Sequence, residues 1–486
     1  MKKILIAGAG VAGLASSIRL SRKGFSVTVF EQANKAGGKL SELQMQGFRF
    51  DTGPSLFTMP WFVDELTDEN FKLDYERVTT VCHYFFPDNS RFQVAADTNE
   101  FIRDASAFFK VTPGQLRKFL KKNAFIYRIT SPVFLEKSLH KASTYLCKEG
   151  IRGILNLPRI GISRSMNSVN KATFKDKRLV QYFNRFATYN GSHPGQAPST
   201  LNVISHLENH FGAYYPKGGM IEIPKTLYKQ ALHHGVKFQF GSKITSLNHQ
   251  RGRIQGLTLE NGEFYEGDAL LSNLDVRLTH KLLNAPLPKK IKEAEPSSSA
   301  FIFLWGIRKT FPELGLHNIF FANDYDREFD FIFKEKSISD DVTVYVNITA
   351  KMDSTDAPAG CENWFVLVNA PANIGQNQDE LRQKARMAAL KTLSARLGTE
   401  IQNLIVCEEY LDPIRIEKNT GSTFGSLYGS SSNSRMSAFF RQANFSQNIK
   451  GLYFCGGSVH PGGGIPLCLL GGKIASEMIE KDYGQN

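Results

Sequence analysis

The start of the chain alternates between short apolar runs and a glycine-rich turn. Residues 3–7 form an apolar run of strand length, residues 14–23 have the spacing of a helix, and residues 26–30 form a second apolar run. Three glycines stand in residues 8–13, between the first run and the helix. The pattern predicts a β-α-β unit whose second strand ends at Glu31.

Farther along the chain, helical segments give way to strand-like runs. Helices are predicted over residues 110–180, 179–211 (with a break at 192–195) and 379–396. Strand-like runs are predicted within 71–101 and at 236–247, 253–259, 263–271, 301–307, 342–349 and 364–370. Turns at Gly252 and Gly262 predict that three of these runs form a meander. The combination predicts an α/β fold: a Rossmann-like domain and a second domain of mixed sheet plus helices.

The glycine-rich turn has the GxGxxG spacing of a dinucleotide-binding loop. Gly8 permits the tight turn, Gly10 lets the backbone approach a pyrophosphate, and Gly13 lets the helix pack closely on the strand. The helix N-terminus presents free N–H groups to an anion. Glu31, 18 residues after Gly13, can accept a hydrogen bond from a ribose hydroxyl. A strand, a helix and an acid in this order predict a dinucleotide site.

The segments around this unit resemble the flavin amine-oxidase-like superfamily. Residues 35–39 and 47–55 are similar to segments that contact FAD in that superfamily, and so are residues 451–457 and 460–466. A predicted helix at 467–480 follows, and its dipole would stabilise negative charge on the reduced flavin. The sequence has no second GxGxxG motif, which argues against NAD(P)H reductase chemistry.

The resemblance implies that FAD is bound noncovalently. Lys39 would place a cation near the FAD phosphates, while Ile244 and Asn273 would lie near its adenosine and pyrophosphate. The implied cofactor-binding residues are Gly8, Gly10, Ala12, Gly13, Glu31, Gly38, Lys39, Ser55, Leu56, Ile244, Asn273, Gly457, Gly464 and Ile465.

The resemblance also implies a discontinuous domain organisation. The FAD-binding domain would consist of residues 1–75, 215–285 and 440–486. The substrate domain would consist of residues 76–214 and 286–439. Within it, residues 110–180 would form a basic helical region that contacts a membrane.

Over nearly its whole length the sequence resembles the bacterial phytoene-desaturase-type carotenoid desaturases. The likeness is carried by residues 50–55, 215–220 and 270–276 and by Gly457 with 460–466. Two further segments, residues 187–192 and 197–201, are more similar to the 3,4-desaturases of 1-hydroxycarotenoids than to phytoene desaturases.

This resemblance implies an oxidoreductase that inserts a C=C bond next to a polyene by hydride transfer to flavin, at C3–C4 of a 1-hydroxylated acyclic carotenoid end. Phytoene desaturation is the alternative within the family. An amine oxidase-like flavoenzyme and a non-catalytic membrane-peripheral flavoprotein are alternatives from other classes. The implied partners are a long hydrophobic carotenoid as substrate and oxygen or a quinone as electron acceptor.

Two carboxylates are candidates for acid or base catalysis. Asp176 lies in a segment that resembles the helical region of the family, and Glu208 precedes the conspicuous motif of residues 215–220. A surface or structural role for both carboxylates is the alternative. The six cysteines are scattered and lack zinc-ligand spacing, so we expect neither a disulfide framework nor a metal.

The positive charge of the chain is concentrated in residues 110–180. This segment holds sixteen Lys or Arg and three acids, an excess equal to the net charge of +13. A solvated helical surface, a nucleic-acid site and contact with an anionic membrane could each explain it. No nucleic-acid-binding motif accompanies the charge, whereas the interleaved bulky apolar residues suit a membrane interface. We therefore expect an anionic membrane surface, and no nucleic acid, as a partner.

The apolar runs are too short to cross a bilayer, which takes about 20 apolar residues. The N-terminus begins like a signal peptide, but glycines interrupt its apolar stretch and no cleavage site follows. These features predict a peripheral protein on the cytoplasmic side of the membrane, with neither a signal peptide nor a transmembrane helix.

Overall fold

The computed structural model describes residues 1–434, 439 and 441–484, which form a mixed α/β fold. The strands are β1 Lys3–Ala7, β2 Ser26–Phe30, β3 Glu42–Met45, β4 Phe48–Asp51, β5 Tyr75–Arg77, β6 Thr80–Phe85, β7 Arg91–Ala95, β8 Tyr214–Pro216, β9 Lys237–Gln239, β10 Ile244–Gln250, β11 Arg253–Leu259, β12 Phe264–Glu266, β13 Ala269–Ser272, β14 Ser299–Ile307, β15 His317–Phe320, β16 Val344–Ile348, β17 Glu362–Ala370, β18 Ile405–Leu411 and β19 Leu452–Phe454. The helices are α1 Val11–Arg22, α2 Trp61–Asp64, α3 Thr98–Phe108, α4 Pro113–Phe134, α5 Ala142–Leu146, α6 Lys148–Leu155, α7 Met166–Thr173, α8 Lys177–Asn184, α9 Val203–His206, α10 Glu222–His233, α11 Val276–Leu282, α12 Lys289–Glu293, α13 Tyr325–Asp330, α14 Gln378–Leu397, α15 Pro413–Thr420 and α16 Ile465–Tyr483.

The first sheet is parallel and has the strand order β19-β13-β1-β2-β9. At its carboxyl end, Ala7 of β1 pairs with Phe30 of β2 on one side and with Ser272 of β13 on the other. The carboxyl ends of these strands meet at one edge, which is where ligands bind in open α/β sheets. The strands come from all three segments predicted for the FAD-binding domain, although the domain boundaries themselves stay a prediction.

Helices α1 and α16 pack against each other beside this sheet. A Cβ atom on Gly472 would lie 2.8 Å from the carbonyl oxygen of Ala12, so only glycine permits this backbone approach. Ala475 and Ser476 are also buried, so α16 presents small residues where the two helices approach each other. The interface fixes α16, and therefore its N-terminus, relative to the glycine-rich turn.

The predicted meander was wrong at both ends. Residues 236–247 and 263–271, each predicted as one run, are each divided between two sheets: β9 and β13 join the parallel sheet, while β10 and β12 pair antiparallel with β11. Gly241, in the left-handed conformation at φ 63°, turns the chain between β9 and β10. Residue spacing alone did not reveal this change of sheet.

The second large sheet is mixed and has the strand order β18-β14-β17-β16-β15-β6-β7. Side chains alternate across its central strand β14. Phe303 and Trp305 belong to the core on the α14 side, while Ile302 and Leu304 belong to a core cluster on the opposite face. The three strands predicted at 301–307, 342–349 and 364–370 are confirmed as β14, β16 and β17.

Residues 110–180 are mostly helical, as predicted, and contain α4, α5, α6 and α7 and the start of α8.

The strand-like region at 71–101 ends earlier than expected, because Asp97 accepts hydrogen bonds from the backbone N–H groups of Asn99 and Glu100 and starts α3. None of the helices in the described residues combines the length and the apolar composition needed to cross a membrane.

Candidate active site

A cavity of about 1100 Å³ lies between the two large sheets, and most of its wall is apolar. At one end Gly8 and Glu31 line it, at the carboxyl edge of the parallel sheet. At the other end Ile302 and Phe365 line it, on the inner face of the mixed sheet. A dinucleotide and a long apolar molecule could therefore occupy one continuous space.

The glycine-rich turn forms a cradle at the first end. Gly8 has φ of 97°, and a Cβ atom on Gly10 would lie 2.9 Å from the Nδ2 atom of Asn273. Gly10 is the N-cap of α1 and provides no side-chain cap, so the first N–H groups of α1 remain available to a phosphate. Asn273 Nδ2 donates to the carbonyl oxygen of Gly8 at 3.2 Å and closes the turn from the β13 side.

The carboxylate of Glu31 is held in place by two backbone groups. Its Oε2 atom accepts from the N–H of Ala9 at 2.8 Å, and its Oε1 atom accepts from the N–H of Ala33 at 2.9 Å. Each carboxylate oxygen keeps a further lone pair. The side chain lines the cavity and can accept from a ribose hydroxyl, as predicted for a dinucleotide site.

A second glycine turn passes directly over the first. A Cβ atom on Gly38, which has φ of 59°, would lie 3.2 Å from the Cα atom of Gly10. The next residue, Lys39, donates from Nζ to the carbonyl oxygen of Leu427 at 2.8 Å. Burial lowers the pKa of Lys39, against the opposing influence of Cys468 and Asp275.

The N-terminus of α16 faces the same cavity. Its N-cap, Gly464, has φ of 111° and provides no side-chain cap. The uncapped N-termini of α1 and α16 and the two glycine turns therefore line the same cavity. This arrangement fits the diphosphate and the flavin of FAD.

All but one of the residues predicted to bind FAD line the cavity. The residues in the wall are Gly8, Gly10, Ala12, Glu31, Gly38, Lys39, Ser55, Leu56, Ile244, Asn273, Gly457, Gly464 and Ile465. Gly13 lies behind the turn, where a Cβ atom would stand 2.2 Å from the carbonyl oxygen of Gly8. Its place is the helix–strand contact that its spacing predicted.

The two candidate catalytic carboxylates lie in different environments. Asp176 is the N-cap of α8: its Oδ1 atom accepts from the N–H of Arg178 at 2.8 Å, and its Oδ2 atom pairs with the guanidinium of Arg178 at 2.7 Å. It is not among the described residues that line the cavity, whereas Glu208 is.

Glu208 belongs to a buried polar group in the cavity wall. It lies in the π-helical turn Leu207–Phe211, a kind of turn that is frequent at functional sites. Arg185 donates from Nη2 to both carboxylate oxygens at 3.1 and 3.2 Å, and Tyr189 donates from its hydroxyl to Oε2 at 2.5 Å. Arg185 also donates from Nη1 to the hydroxyl of Tyr189 at 2.9 Å. The sequence offered one signal for Arg185, which is the single basic residue within the aromatic-rich segment 182–187.

A second group of hydrogen-bonded side chains lies in the cavity wall. The hydroxyl of Tyr345 lies 2.7 Å from Oγ of Ser55 and 2.7 Å from Nδ1 of His317. Tyr325 also lines the cavity, and its buried hydroxyl has no hydrogen-bond partner among the described residues. Sequence analysis did not identify His317, Tyr325 or Tyr345, because no motif or spacing marks them.

Two cysteines near this site differ in whether they line the cavity. Cys455 is buried with its Sγ atom 3.8 Å from Oδ1 of Asn273, whereas Cys468 lines the cavity. Burial raises the pKa of the Cys468 thiol to about 11. Within the described residues there is no group of three or more His, Cys, Asp or Glu side chains that could hold a metal ion.

Comparisons with known proteins agree with this geometry. The model of the family "flavin containing amine oxidoreductase" matches residues 11–479. The chain is 45% identical over 485 residues to a 1-hydroxycarotenoid 3,4-desaturase from Flavobacterium sp. (strain P99-3), with 99% of each chain covered. It is 32% identical over 495 residues to a 4,4'-diapolycopene oxygenase from Methylomonas sp., with 99% of this chain and 98% of the relative covered.

The fold is also similar to that of solved structures. The crystal structure of an oxidoreductase from Methanosarcina mazei has a TM-score of 0.66 and 16% sequence identity, with 98% of this chain and 100% of that chain covered. At this identity the likeness concerns the fold alone.

Proposed function

The chain belongs to the flavin-containing amine oxidoreductase family, and from this we propose that it is an FAD-dependent carotenoid desaturase that forms the C3–C4 double bond at a 1-hydroxylated acyclic end. The observation that carries the proposal is the 45% identity, over 99% of both chains, to a protein of that activity. The family predicted from the sequence is confirmed, and FAD is its cofactor.

The cavity supports this proposal because its two ends suit the two reactants. Bound FAD supplies the hydride acceptor. The chain contributes an apolar wall, in which Ile302, Phe365 and Leu367 of the mixed sheet present side chains to the substrate half. A polyene hydrocarbon binds there by burial of apolar surface, and the same wall keeps water from the reacting carbons.

We further propose Glu208 as the group that receives the proton lost from the substrate. Of the two candidate catalytic carboxylates, Glu208 is the one that lines the cavity, and it is 2% exposed. Arg185 balances its charge and Tyr189 fixes one of its oxygens. We propose no catalytic role for Asp176, because its carboxylate caps α8.

FAD is held noncovalently in this proposal. Backbone N–H groups of α1, the carboxylate of Glu31 and the N-terminus of α16 supply the contacts. Burial keeps the thiol of Cys468 protonated, so it is a poor nucleophile toward the flavin. Acid precipitation of the protein should release the flavin into the supernatant, and flavin in the pellet would contradict this point.

We also propose that the protein binds an anionic membrane from one side. Five large apolar side chains are exposed on and around α5 and α6: Leu146, Ile151, Ile154, Leu155 and Leu157, here called the 146–157 patch. Leu146 is 77% and Leu155 is 74% exposed.

Charge and position both support this membrane contact. The exposed basic residues Lys148, Arg152 and Arg159 border the patch, which suits anionic lipid. Helix α6 packs on α4, and Phe134 and Leu135 at the end of α4 line the cavity. The patch therefore adjoins the part of the cavity wall through which a substrate dissolved in lipid could enter.

The activity test uses the holoenzyme with carotenoids in anionic liposomes. A 1-hydroxylated acyclic carotenoid should gain one double bond and a red-shifted absorption spectrum. Conversion of phytoene without action on the hydroxylated carotenoid would favour the phytoene-desaturase alternative, and oxidation of amines would favour the amine-oxidase alternative. Anaerobic assays with and without a quinone would distinguish a quinone from oxygen, the two electron acceptors that we propose.

A further inference from the structure

His317 is a buried histidine with an unused hydrogen-bonding atom in the cavity wall. It lies at the start of β15 and is 3% exposed. Its Nδ1 atom lies 2.7 Å from the hydroxyl of Tyr345 and 3.2 Å from Nδ2 of Asn347, whereas its Nε2 atom has no partner among the described residues. A buried polar atom without a partner is unfavourable, so a ligand that satisfies Nε2 gains affinity there.

The neighbours of the ring determine which nitrogen carries the proton. Asn347 also donates from Nδ2 to the carbonyl oxygen of Leu316 at 3.0 Å, which identifies that atom as the amide nitrogen. Nδ1 of His317 therefore accepts, and it is Nε2 that bears the hydrogen. Burial lowers the pKa of His317 to about 3, so the ring is neutral at neutral pH. The cavity wall thus contains a neutral imidazole whose buried Nε2–H has no partner among the described residues.

The position of this donor matches the chemistry of the substrate. Tyr345 links His317 to Ser55, which is one of the residues predicted to contact FAD. In a 1-hydroxylated carotenoid the hydroxyl-bearing carbon is two bonds from C3, so whatever binds the hydroxyl must lie close to the flavin. The wall residues Val81, Ile319 and Phe365 offer the hydroxyl no polar partner, whereas Tyr325 is a polar alternative to His317.

We propose that His317 is the specificity-determining residue for the hydroxylated end: its Nε2–H donates a hydrogen bond to the C1 hydroxyl oxygen and so sets C3–C4 against the flavin. This inference rests on the proposed function. It adds a reason why a hydroxylated end is preferred, because an analogue without the oxygen leaves the buried N–H unpaired.

Two substitutions of the same side chain test the proposal. In His317→Asn the amide is attached at Cγ, near the place of Nδ1, so Tyr345 keeps a partner while the donor at Nε2 is lost. In His317→Gln the amide extends to the place of Nε2 and can restore that donor. The measurement is the ratio of kcat/KM for a 1-hydroxylated acyclic carotenoid to that for the analogue with hydrogen in place of the hydroxyl, both in liposomes.

The wild-type holoenzyme should prefer the hydroxylated substrate. His317→Asn should reduce this ratio by about 10-fold or more, and His317→Gln should recover most of it. A further variant, Tyr325→Phe, removes the hydroxyl of another residue of the cavity wall. Tyr84→Phe is its matched control, because it removes a buried hydroxyl at a residue that is not part of the described cavity wall. It should leave the ratio unchanged.

The possible failures are distinguishable. A wild-type enzyme that converts neither carotenoid would refute the proposed function. Three results would overturn the role of His317 and leave the desaturase proposal standing. The wild-type enzyme could convert both carotenoids equally well, the ratio of kcat/KM values could be unchanged in His317→Asn, or the ratio could be lost in Tyr325→Phe instead. FAD content and the unfolding midpoint show whether each variant is folded. Should His317→Asn not fold, ¹⁵N-histidine NMR of the wild-type holoenzyme supplies the test: one imidazole N–H signal should shift with the hydroxylated substrate only, and the absence of that shift would overturn the proposal.

Discussion

Gly13 and Gly8 stand so close that a Cβ atom on Gly13 would lie 2.2 Å from the carbonyl oxygen of Gly8. That separation is far inside van der Waals contact, and the blocking atom belongs to the backbone. The contact fixes the distance between the first turn of α1 and the end of β1. It therefore fixes where the free N–H groups of α1 point.

We predict that Gly13→Ala lowers the FAD content of the purified protein by about 10-fold or more, because α1 must move away from the turn that receives the pyrophosphate. The flavin absorbance relative to protein absorbance measures this content. Gly114→Ala is the control, since Gly114 lies in the first turn of α4, where an added Cβ atom would meet nothing within 4 Å. It should keep full FAD content and raise the free energy of unfolding by about 0.4–1 kcal/mol. Equal FAD content in both variants would contradict the prediction.

The buried pair of Arg185 and Glu208 should have a large effect on stability. In Glu208→Gln the guanidinium of Arg185 stays buried without a countercharge, so the free energy of unfolding should fall by about 3–5 kcal/mol. Chemical denaturation followed by fluorescence measures it. A loss below about 1 kcal/mol, the range of surface pairs, would show that solvent reaches the pair.

The double variant Arg185→Met/Glu208→Leu separates the structural role of Glu208 from its proposed catalytic role. It removes both charges, so most of the lost stability should return. If Glu208 receives the substrate proton, the double variant should bind FAD and remain inactive. Recovery of activity together with stability would contradict the catalytic role.

Glu328 should make the protein less stable as the pH rises. Burial raises the pKa of its carboxyl group to about 8, although Oε2 accepts a hydrogen bond from the hydroxyl of Thr343 at 2.6 Å. The folded protein thus keeps a proton that the unfolded chain releases above about pH 4.5. The free energy of unfolding should fall through this window by up to about 1.4 kcal/mol per pH unit.

Glu328→Gln tests this pH dependence, because the amide stays neutral. The stability of the wild-type protein relative to this variant should decline between pH 5 and pH 8, measured by denaturation at each pH. Glu266→Gln, at an exposed position on β12, is the control and should show no such trend. Parallel pH curves for the wild-type protein and Glu328→Gln would refute the prediction.

The cofactor half of the site was predictable from the sequence because adjacent residues build it. Gly8, Gly10 and Gly13 act through the backbone within a single turn, so their spacing alone carries the information. His317 and Tyr345 are 28 residues apart and meet only because β15 pairs with β16. No local pattern encodes such a contact.

The same distinction explains the other misses. Asp176 and Glu208 were equivalent as candidates in the sequence, and only the packing of α8 and of the π-helical turn separates them. The division of residues 236–247 between two sheets likewise depends on a distant partner, because β9 pairs with β2 near the start of the chain, whereas β10 pairs with the neighbouring strand β11. Charge alone identified the basic segment 110–180, but the exposure that defines the 146–157 patch needed the three-dimensional structure.

Membrane binding should have two components that salt can separate. Attraction of basic residues to anionic lipid is screened over about 10 Å at about 0.1 M salt, whereas insertion of apolar side chains is not. Replacing Leu146, Ile151, Ile154 and Leu155 with Gln should lower the affinity for anionic liposomes by about 10-fold or more at every salt concentration. Replacing the exposed residues Arg117, Lys118, Lys121 and Lys122 with Gln should lower it at low salt and have little effect at high salt.

Flotation with liposomes measures this binding, and a third variant controls for exposed apolar surface in general. Ile374, Met387 and Ile414 are 49–60% exposed and lie outside the 146–157 patch, so replacing all three with Gln should leave flotation unchanged. Desaturation of carotenoid in liposomes should fall in parallel with binding while FAD content stays constant, because the substrate reaches the cavity from the lipid. If the apolar quadruple variant floated as well as the wild-type protein, the 146–157 patch would not be the docking surface. If the variant with four basic residues replaced floated as well as the wild-type protein at low salt, the charge of residues 110–180 would not serve membrane binding. The segment would then be a solvated helical surface.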